Sequence, residues 1–283
     1  MTATIIAADG TAVVWRDRGA GPPLVLCNGI TTSDFFWRRM LPRWQTRHRV
    51  ITWDYKGHGE SAPARSLEGT TIAALADDLR RVLDAAAIES APIVGFSMGS
   101  QVMLELWRAA PERVRAMVSL LGPAGRLFDT ALPPFGPILQ RLLTAVPNPG
   151  VHVAMRGLGT AMYTPGAALL VRVLGYTGHV PERDIAAFRA HFGRLHPPTV
   201  AAIARAAGEH DARDLLPDID VPLLVIAGDR DRFAPAASVG VPFAASAPNA
   251  ELLRLPSATH TALFEQPMEL ALAIDEFFAR HQV

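Results

Sequence analysis

Three residues far apart in the chain carry the types needed to open an acyl bond: Ser97, Asp231 and His260. Ser97 lies in IVGFSMGSQ, bracketed by Gly95 and Gly99, after a β-favouring pair and before a run of helical character. A serine at the tip of a strand-to-helix turn is held in strained dihedrals, and glycines two residues either side relieve the crowding. That turn would expose the Ser97 hydroxyl and aim the Met98 N–H, at the helix N-terminus, toward the same space. A serine hydroxyl is a poor nucleophile near neutral pH. It needs an imidazole base, and the imidazole needs a carboxylate to fix its tautomer. His260, in LPSATHTALFEQP, and Asp231, in AGDRDRFAP, follow in that role and order, with Asp229 an alternative carboxylate two residues earlier.

The elements that would position them are legible as alternating runs. Apolar stretches at 24–28, 49–54, 91–96, 115–121, 222–228 and 250–255 read as strands of a mostly parallel sheet, with an earlier strand at 11–17. Between them, 71–87 places Ile72, Leu75, Leu79, Val82 and Leu83 on one helical stripe, and 266–281 repeats the pattern with Pro267 in its first turn. Strands alternating with amphipathic helices predict an α/β fold with helices on both faces of the sheet. Ser97, Asp231 and His260 then all follow strand carboxyl ends, the edge at which open α/β sheets bind ligands. One stretch breaks the rhythm: 123–214 shows no strand pattern, only helix-like pieces separated by LPPFGP, VPNPG, YTPG and HPP. We expect a core domain of 1–122 and 215–283 carrying a helical insertion at 123–214. Its apolar residues, Leu127, Phe128, Met155, Met162 and Leu169 among them, would form a small core or line a pocket above the sheet.

Composition narrows the partners. The chain has 283 residues, 49% of them hydrophobic, and balances 27 Lys and Arg against 27 Asp and Glu. No overall field draws such a chain to nucleic acid or an anionic membrane, so a small-molecule substrate is expected. Cys27 is the single cysteine, which excludes an internal disulfide and any thiolate cage. With no signal-peptide pattern at the start and no long charge-free apolar run, the expectation is a cytoplasmic protein without a membrane span. Nothing fixes the oligomeric state, and a homodimer stays open.

At this point the chain resembles the α/β-hydrolase superfamily along nearly its whole length. PPLVLCNGITTSDFFWRRMLPRW is similar to the family's oxyanion-loop strand and following helix, WDYKGHGES to its D-x-R-G-x-G-x-S turn, and VGFSMGS to the nucleophile elbow. GDRDRFAP resembles the acid turn and SATHTALFEQP the histidine loop. The resemblance implies an α/β-hydrolase fold with an inserted helical cap. It further implies Ser97 as nucleophile, His260 as general base and acid, Asp231 as orienting carboxylate, and the N–H groups of Ile30 and Met98 as oxyanion hole. The family pattern counts to the second aspartate of its turn, hence Asp231 over Asp229. Two departures stand out: Asn28-Gly29 replaces the usual His-Gly, and Lys56 the usual arginine. The asparagine form is similar to 3-oxoadipate enol-lactone hydrolases.

The implied activity is hydrolysis of a carboxylic ester or lactone without cofactor or metal. The same triad also serves C–C bond hydrolysis, perhydrolysis and acyl transfer, and the fold serves non-hydrolytic receptors. Epoxide and haloalkane hydrolases need an aspartate where Ser97 stands. Among remaining residues, Trp37 is expected as core or as a wall of the acyl pocket, and is carried as a substrate-binding candidate. Asp54 is expected to satisfy turn N–H groups and pair with Lys56. Arg156 and Arg172 could meet a substrate carboxylate. His152, His179, His191, His196 and His210 lack metal-ligand spacing.

Overall fold

The computed structural model describes residues 1–131, 135–145, 150, 153, 157 and 180–283. Eight strands form one sheet: β1 (Thr2–Ile6), β2 (Ala12–Arg18), β3 (Pro23–Cys27), β4 (Arg49–Trp53), β5 (Ala91–Phe96), β6 (Val114–Leu120), β7 (Leu223–Gly228) and β8 (Ala250–Leu255). Their order is β1-β2-β4-β3-β5-β6-β7-β8. β2 pairs antiparallel with both β1 and β4, and every other pairing is parallel. β1 was not anticipated. Its five residues pair only with β2 at the sheet edge, and only Ile5 is buried, so little of an apolar run marks it.

The central strands are apolar throughout because both faces are covered. Successive side chains point to opposite faces, and this alternation divides the core. Val25, Cys27 and Ile93 join the cluster under α1 (Ile72–Ala85) and α2 (Met98–Ala109). Leu24, Leu26, Val94 and Phe96 join the opposite cluster with Phe36, Trp37 and Trp44. The five stripe residues of α1 all lie in the first cluster, and Thr71 caps that helix by accepting from the Ala74 N–H at 3.0 Å.

Within 123–214 the described residues form helices and no strand. These are a short turn of helix at Leu127–Thr130, then α3 (Gly136–Ala145), α4 (Glu182–Phe192) and α5 (Pro197–Glu209). Met155, Met162, Leu169, Arg156, Arg172, His152 and His179 lie outside the described residues. Two contacts seat α4 on the core. Buried Asp184 pairs with Arg38 and Arg39, and the Phe188 ring meets Phe36 at 6.0 Å. α5 sits on the turn after β4, where Thr199 Oγ1 accepts from the Ala64 N–H at 3.1 Å. Beyond β7 come α6 (Val241–Ser246) and, at the end of the chain, α7 (Pro267–His281), which packs Leu270, Ile274 and Phe277 into the second cluster. No helix among the described residues is long and apolar enough to cross a membrane.

Candidate active site

Ser97 occupies the one-residue junction between β5 and α2, with φ of 52° and ψ of −121°. A non-glycine residue adopts that conformation at a cost of about 1–3 kcal/mol, so the surroundings must hold it. The Ser97 N–H is taken up by the Leu120 carbonyl at 2.9 Å, which ties the turn to the end of β6. The flanking glycines are required by close approach. A Cβ on Gly95 would stand 2.5 Å from the Gly99 carbonyl oxygen, and one on Gly99 would stand 2.4 Å from that of Cys27.

Three strand ends converge here. Ser97 Oγ lies 2.9 Å from His260 Nε2, and His260 Nδ1 lies 2.8 Å from Asp231 Oδ2. The Asp231 side chain is wholly buried and its other oxygen accepts the N–H groups of Phe233 at 2.7 Å and Ala234 at 3.0 Å. A carboxylate beside Nδ1 favours the tautomer that leaves Nε2 free to accept a proton from the serine. Asp229 points elsewhere, to Arg254 at 2.9 Å. The Phe96 and Phe233 rings flank the imidazole at 5.2 and 5.0 Å. The loop carrying His260 is pinned by Glu265, which accepts from the Thr259 N–H and hydroxyl and from the Thr261 hydroxyl.

The stretch after β3 runs beside the serine: a Cβ on Gly29 would stand 3.1 Å from the Ser97 Cβ. Ile30 follows it, and Met98 opens α2, so the Met98 N–H is one of the first-turn donors with no partner inside its helix. Asn28 braces this stretch. It donates to the Trp53 carbonyl at 2.5 Å, accepts from the Trp37 indole at 2.8 Å, and its carbonyl accepts from the Tyr55 hydroxyl at 2.7 Å.

Several expectations need correcting. Trp37 has no exposed surface and spends its N–H on Asn28, so it is a strut of the core and not a pocket wall. Asp54 pairs with Arg16 at 2.9 Å, because Lys56 points away to Asp9 at 3.1 Å and Asp78 at 3.3 Å. His196 caps α5, His210 pairs with Glu105 at 2.8 Å, and His191 meets the Ser33 hydroxyl at 3.3 Å. Among the described residues no group of three His, Cys, Asp or Glu side chains could hold a metal ion. Burial pushes the Cys27 thiol up to about 12, so it is inert as a nucleophile. Thr32 and Glu265 were not singled out, and His58 stood out only as a structural residue of the DYKGHGES turn, although the glutamate four residues past Thr261 in SATHTALFEQP was a usable sign.

A doubly covered parallel sheet with a serine elbow and a histidine and an acid on later strand ends defines a class. The chain belongs to the alpha/beta hydrolase fold family, whose pattern matches residues 22–267, and its class is that of hydrolases. It is 33% identical over 220 residues to a protein of Azorhizobium caulinodans provisionally named carbamate hydrolase RutD, covering 77% of each chain. Among solved structures, a hydrolase from Pseudomonas aeruginosa superposes with a TM-score of 0.78 at 27% identity, covering 98% of both chains. The enol-lactonase from Burkholderia xenovorans has the same fold, with a TM-score of 0.78 at 23% identity, over 98% of this chain and 100% of that one.

Proposed function

We propose that this protein is a serine hydrolase of carboxylic esters or lactones, working through an acyl-enzyme on Ser97, with residues 123–214 as a helical cap over the site. The observation that carries the reading is the unbroken chain from Ser97 Oγ to His260 Nε2 at 2.9 Å and from His260 Nδ1 to Asp231 at 2.8 Å. His260 takes the Ser97 proton as Oγ attacks the carbonyl carbon. The tetrahedral oxyanion is received by the N–H groups of Ile30 and Met98, and His260 then protonates the leaving oxygen. In a lactone that oxygen stays tethered to the acyl group, so ring opening and acylation are one event. Water, deprotonated by the same imidazole, attacks the ester on Ser97, and Ser97 recovers its proton as the acid departs.

A carbamate is a second substrate class worth testing, because the relative named for that bond is the one sharing 33% of its residues over 220 positions. Its carbonyl carbon is open to the same attack, with an amine or alcohol leaving.

The test is fluorophosphonate labelling with peptide mapping, followed by turnover on a panel of short-chain esters, long-chain esters, lactones and carbamates. Ser97→Ala is expected to keep its fold, lose the label and lose at least about 10⁴-fold in kcat. Wild-type turnover in Ser97→Ala, or a label on another residue, would remove the proposal.

A further inference from the structure

The N–H assigned above to oxyanion binding belongs to the peptide between Gly29 and Ile30. In a trans peptide the carbonyl and the N–H point in opposite directions, so whatever holds one aims the other. The Gly29 carbonyl accepts from the Thr32 hydroxyl at 2.9 Å and from the Thr32 N–H at 3.3 Å. The next peptide is held as well. The Thr31 N–H donates to His58 Nε2 at 3.2 Å, and Thr31 has φ of 60°, a conformation that a β-branched residue keeps only under constraint. His58 Nδ1 lies 2.9 Å from the Lys56 carbonyl. A carbonyl can only accept, so Nδ1 carries the proton and Nε2 keeps the lone pair that receives the Thr31 N–H.

Both side chains are sealed from water, Thr32 being 4% and His58 1% exposed. Removing either side chain would leave a buried peptide group without that bond. The braced stretch lies against the nucleophile, as the 3.1 Å approach at Gly29 requires.

We propose that Thr32 and His58 are positioning residues for the oxyanion hole: they clamp the two peptide planes flanking Ile30 and so preset the direction of its N–H before substrate arrives. The inference rests on the serine-hydrolase reading. A donor aimed in advance stabilises the oxyanion without reorganising at the moment of reaction, whereas an unclamped peptide must be turned first. Neither side chain touches the reacting atoms.

The test uses two deletions, each with a conservative partner. Thr32→Val removes the hydroxyl and Thr32→Ser keeps it; His58→Phe keeps a ring without an acceptor and His58→Gln restores one. Each is read by kcat and KM on a short-chain nitrophenyl ester, and by the inhibition constant of a boronic acid, whose tetrahedral adduct on Ser97 places a negative oxygen in the hole. Thr32→Val and His58→Phe are expected to lower kcat by roughly 10–100-fold, within the cost of losing one oxyanion donor, with KM changed less than about threefold. The boronate constant should weaken by a similar factor, and Thr32→Ser and His58→Gln should recover most of both losses. Thermal melts establish folding; if one deletion does not fold the other decides, with Thr32→Ala as the smaller perturbation. Near wild-type kcat and boronate affinity in folded deletions would overturn the inference, as would losses that the conservative partners fail to recover. Ser97→Ala separates the two readings: if it is inactive while the deletions behave as wild type, only the clamp is wrong.

Discussion

Asp231 divides its work between two oxygens, one holding the Phe233 and Ala234 N–H groups and the other facing His260 Nδ1. The division predicts what a single-atom change would do. In Asp231→Asn the amide oxygen can keep both backbone bonds, so the turn survives. The amide nitrogen then faces Nδ1 as a donor, which favours the tautomer with its proton on Nε2, where the serine needs a base. We expect kcat to fall about 10³–10⁴-fold with a melting temperature within a few degrees of wild type. Asp229→Asn, which breaks only a partly exposed pair with Arg254, should stay within about twofold. Equal losses from the two variants would mean that the carboxylate assignment is wrong. Ser97, His260 and Asp231 were legible because each sits just past an apolar run in a fixed order. Thr32 and His58 were not: Thr32 bonds a peptide carbonyl three residues back, which no side-chain pattern marks, and His58 meets the Thr31 N–H, 27 positions away, only through the fold. Trp37 misled for a related reason: an aromatic residue near a glycine loop suits a pocket wall or a strut equally well, and only its bond to Asn28 decides.

The strand-to-helix elbow works as an element because β3, β5 and α2 approach without side chains between them. Gly99 lies in the first turn of α2, and a methyl there would press on the Cys27 carbonyl oxygen at 2.4 Å and on that of Asn28 at 2.9 Å. Both are backbone atoms at the end of β3, so the strain cannot be relieved by a rotamer change. Gly99→Ala should destabilise by roughly 1–3 kcal/mol or more, as overpacking of a tight core does. It should also displace the Asn28–Ile30 stretch and reduce turnover beyond what the stability loss explains. Urea unfolding with activity measured well below the midpoint checks both; a stable, fully active Gly99→Ala would mean that the elbow is not tight. The same elements show which parts of the fold a sequence exposes. Buried parallel strands announce themselves as unbroken apolar runs, and α1 by a stripe with its charges opposite. β1 did not, since an edge strand with one buried side chain carries almost no pattern. The seating of α4 on the segment that follows β3 was also hidden. It depends on an aspartate at 184 meeting arginines at 38 and 39, a pairing that no local periodicity records.

At the scale of the whole molecule, two buried imidazoles, His58 after β4 and His191 on α4, meet at 6.5 Å between ring centres and make stability depend on pH. His58 is pushed from an ordinary imidazole near 6.5 down to about 4, chiefly by burial and against its bond to the Lys56 carbonyl. His191, on α4 beside the Ser33 hydroxyl, is pushed down to about 3, chiefly by burial, with the neighbouring His58 ring and the Arg194 guanidinium further opposing a charge there. The folded protein keeps both neutral, while the unfolded chain protonates both below about pH 6.5. The unfolded state therefore binds more protons, and stability falls as the pH drops from there until the folded values are reached. By pH 5 each group has cost roughly 2 kcal/mol at about 1.4 kcal/mol per unit. Asp78 works the other way. Burial raises it to about 6 despite Lys56 alongside, so the folded state gains a proton that the unfolded aspartate does not. That offsets only about 1 kcal/mol by pH 5, so the histidines win by roughly 3 kcal/mol, a sizeable part of an ordinary domain's 5–15 kcal/mol. The urea midpoint should thus fall steadily between pH 7 and pH 5. In His191→Gln, which holds no titrating ring on α4, the slope should be visibly shallower. An unchanged slope in that variant would show that the acid sensitivity arises elsewhere and that His191 is not kept neutral by the packing of α4 on the segment after β3.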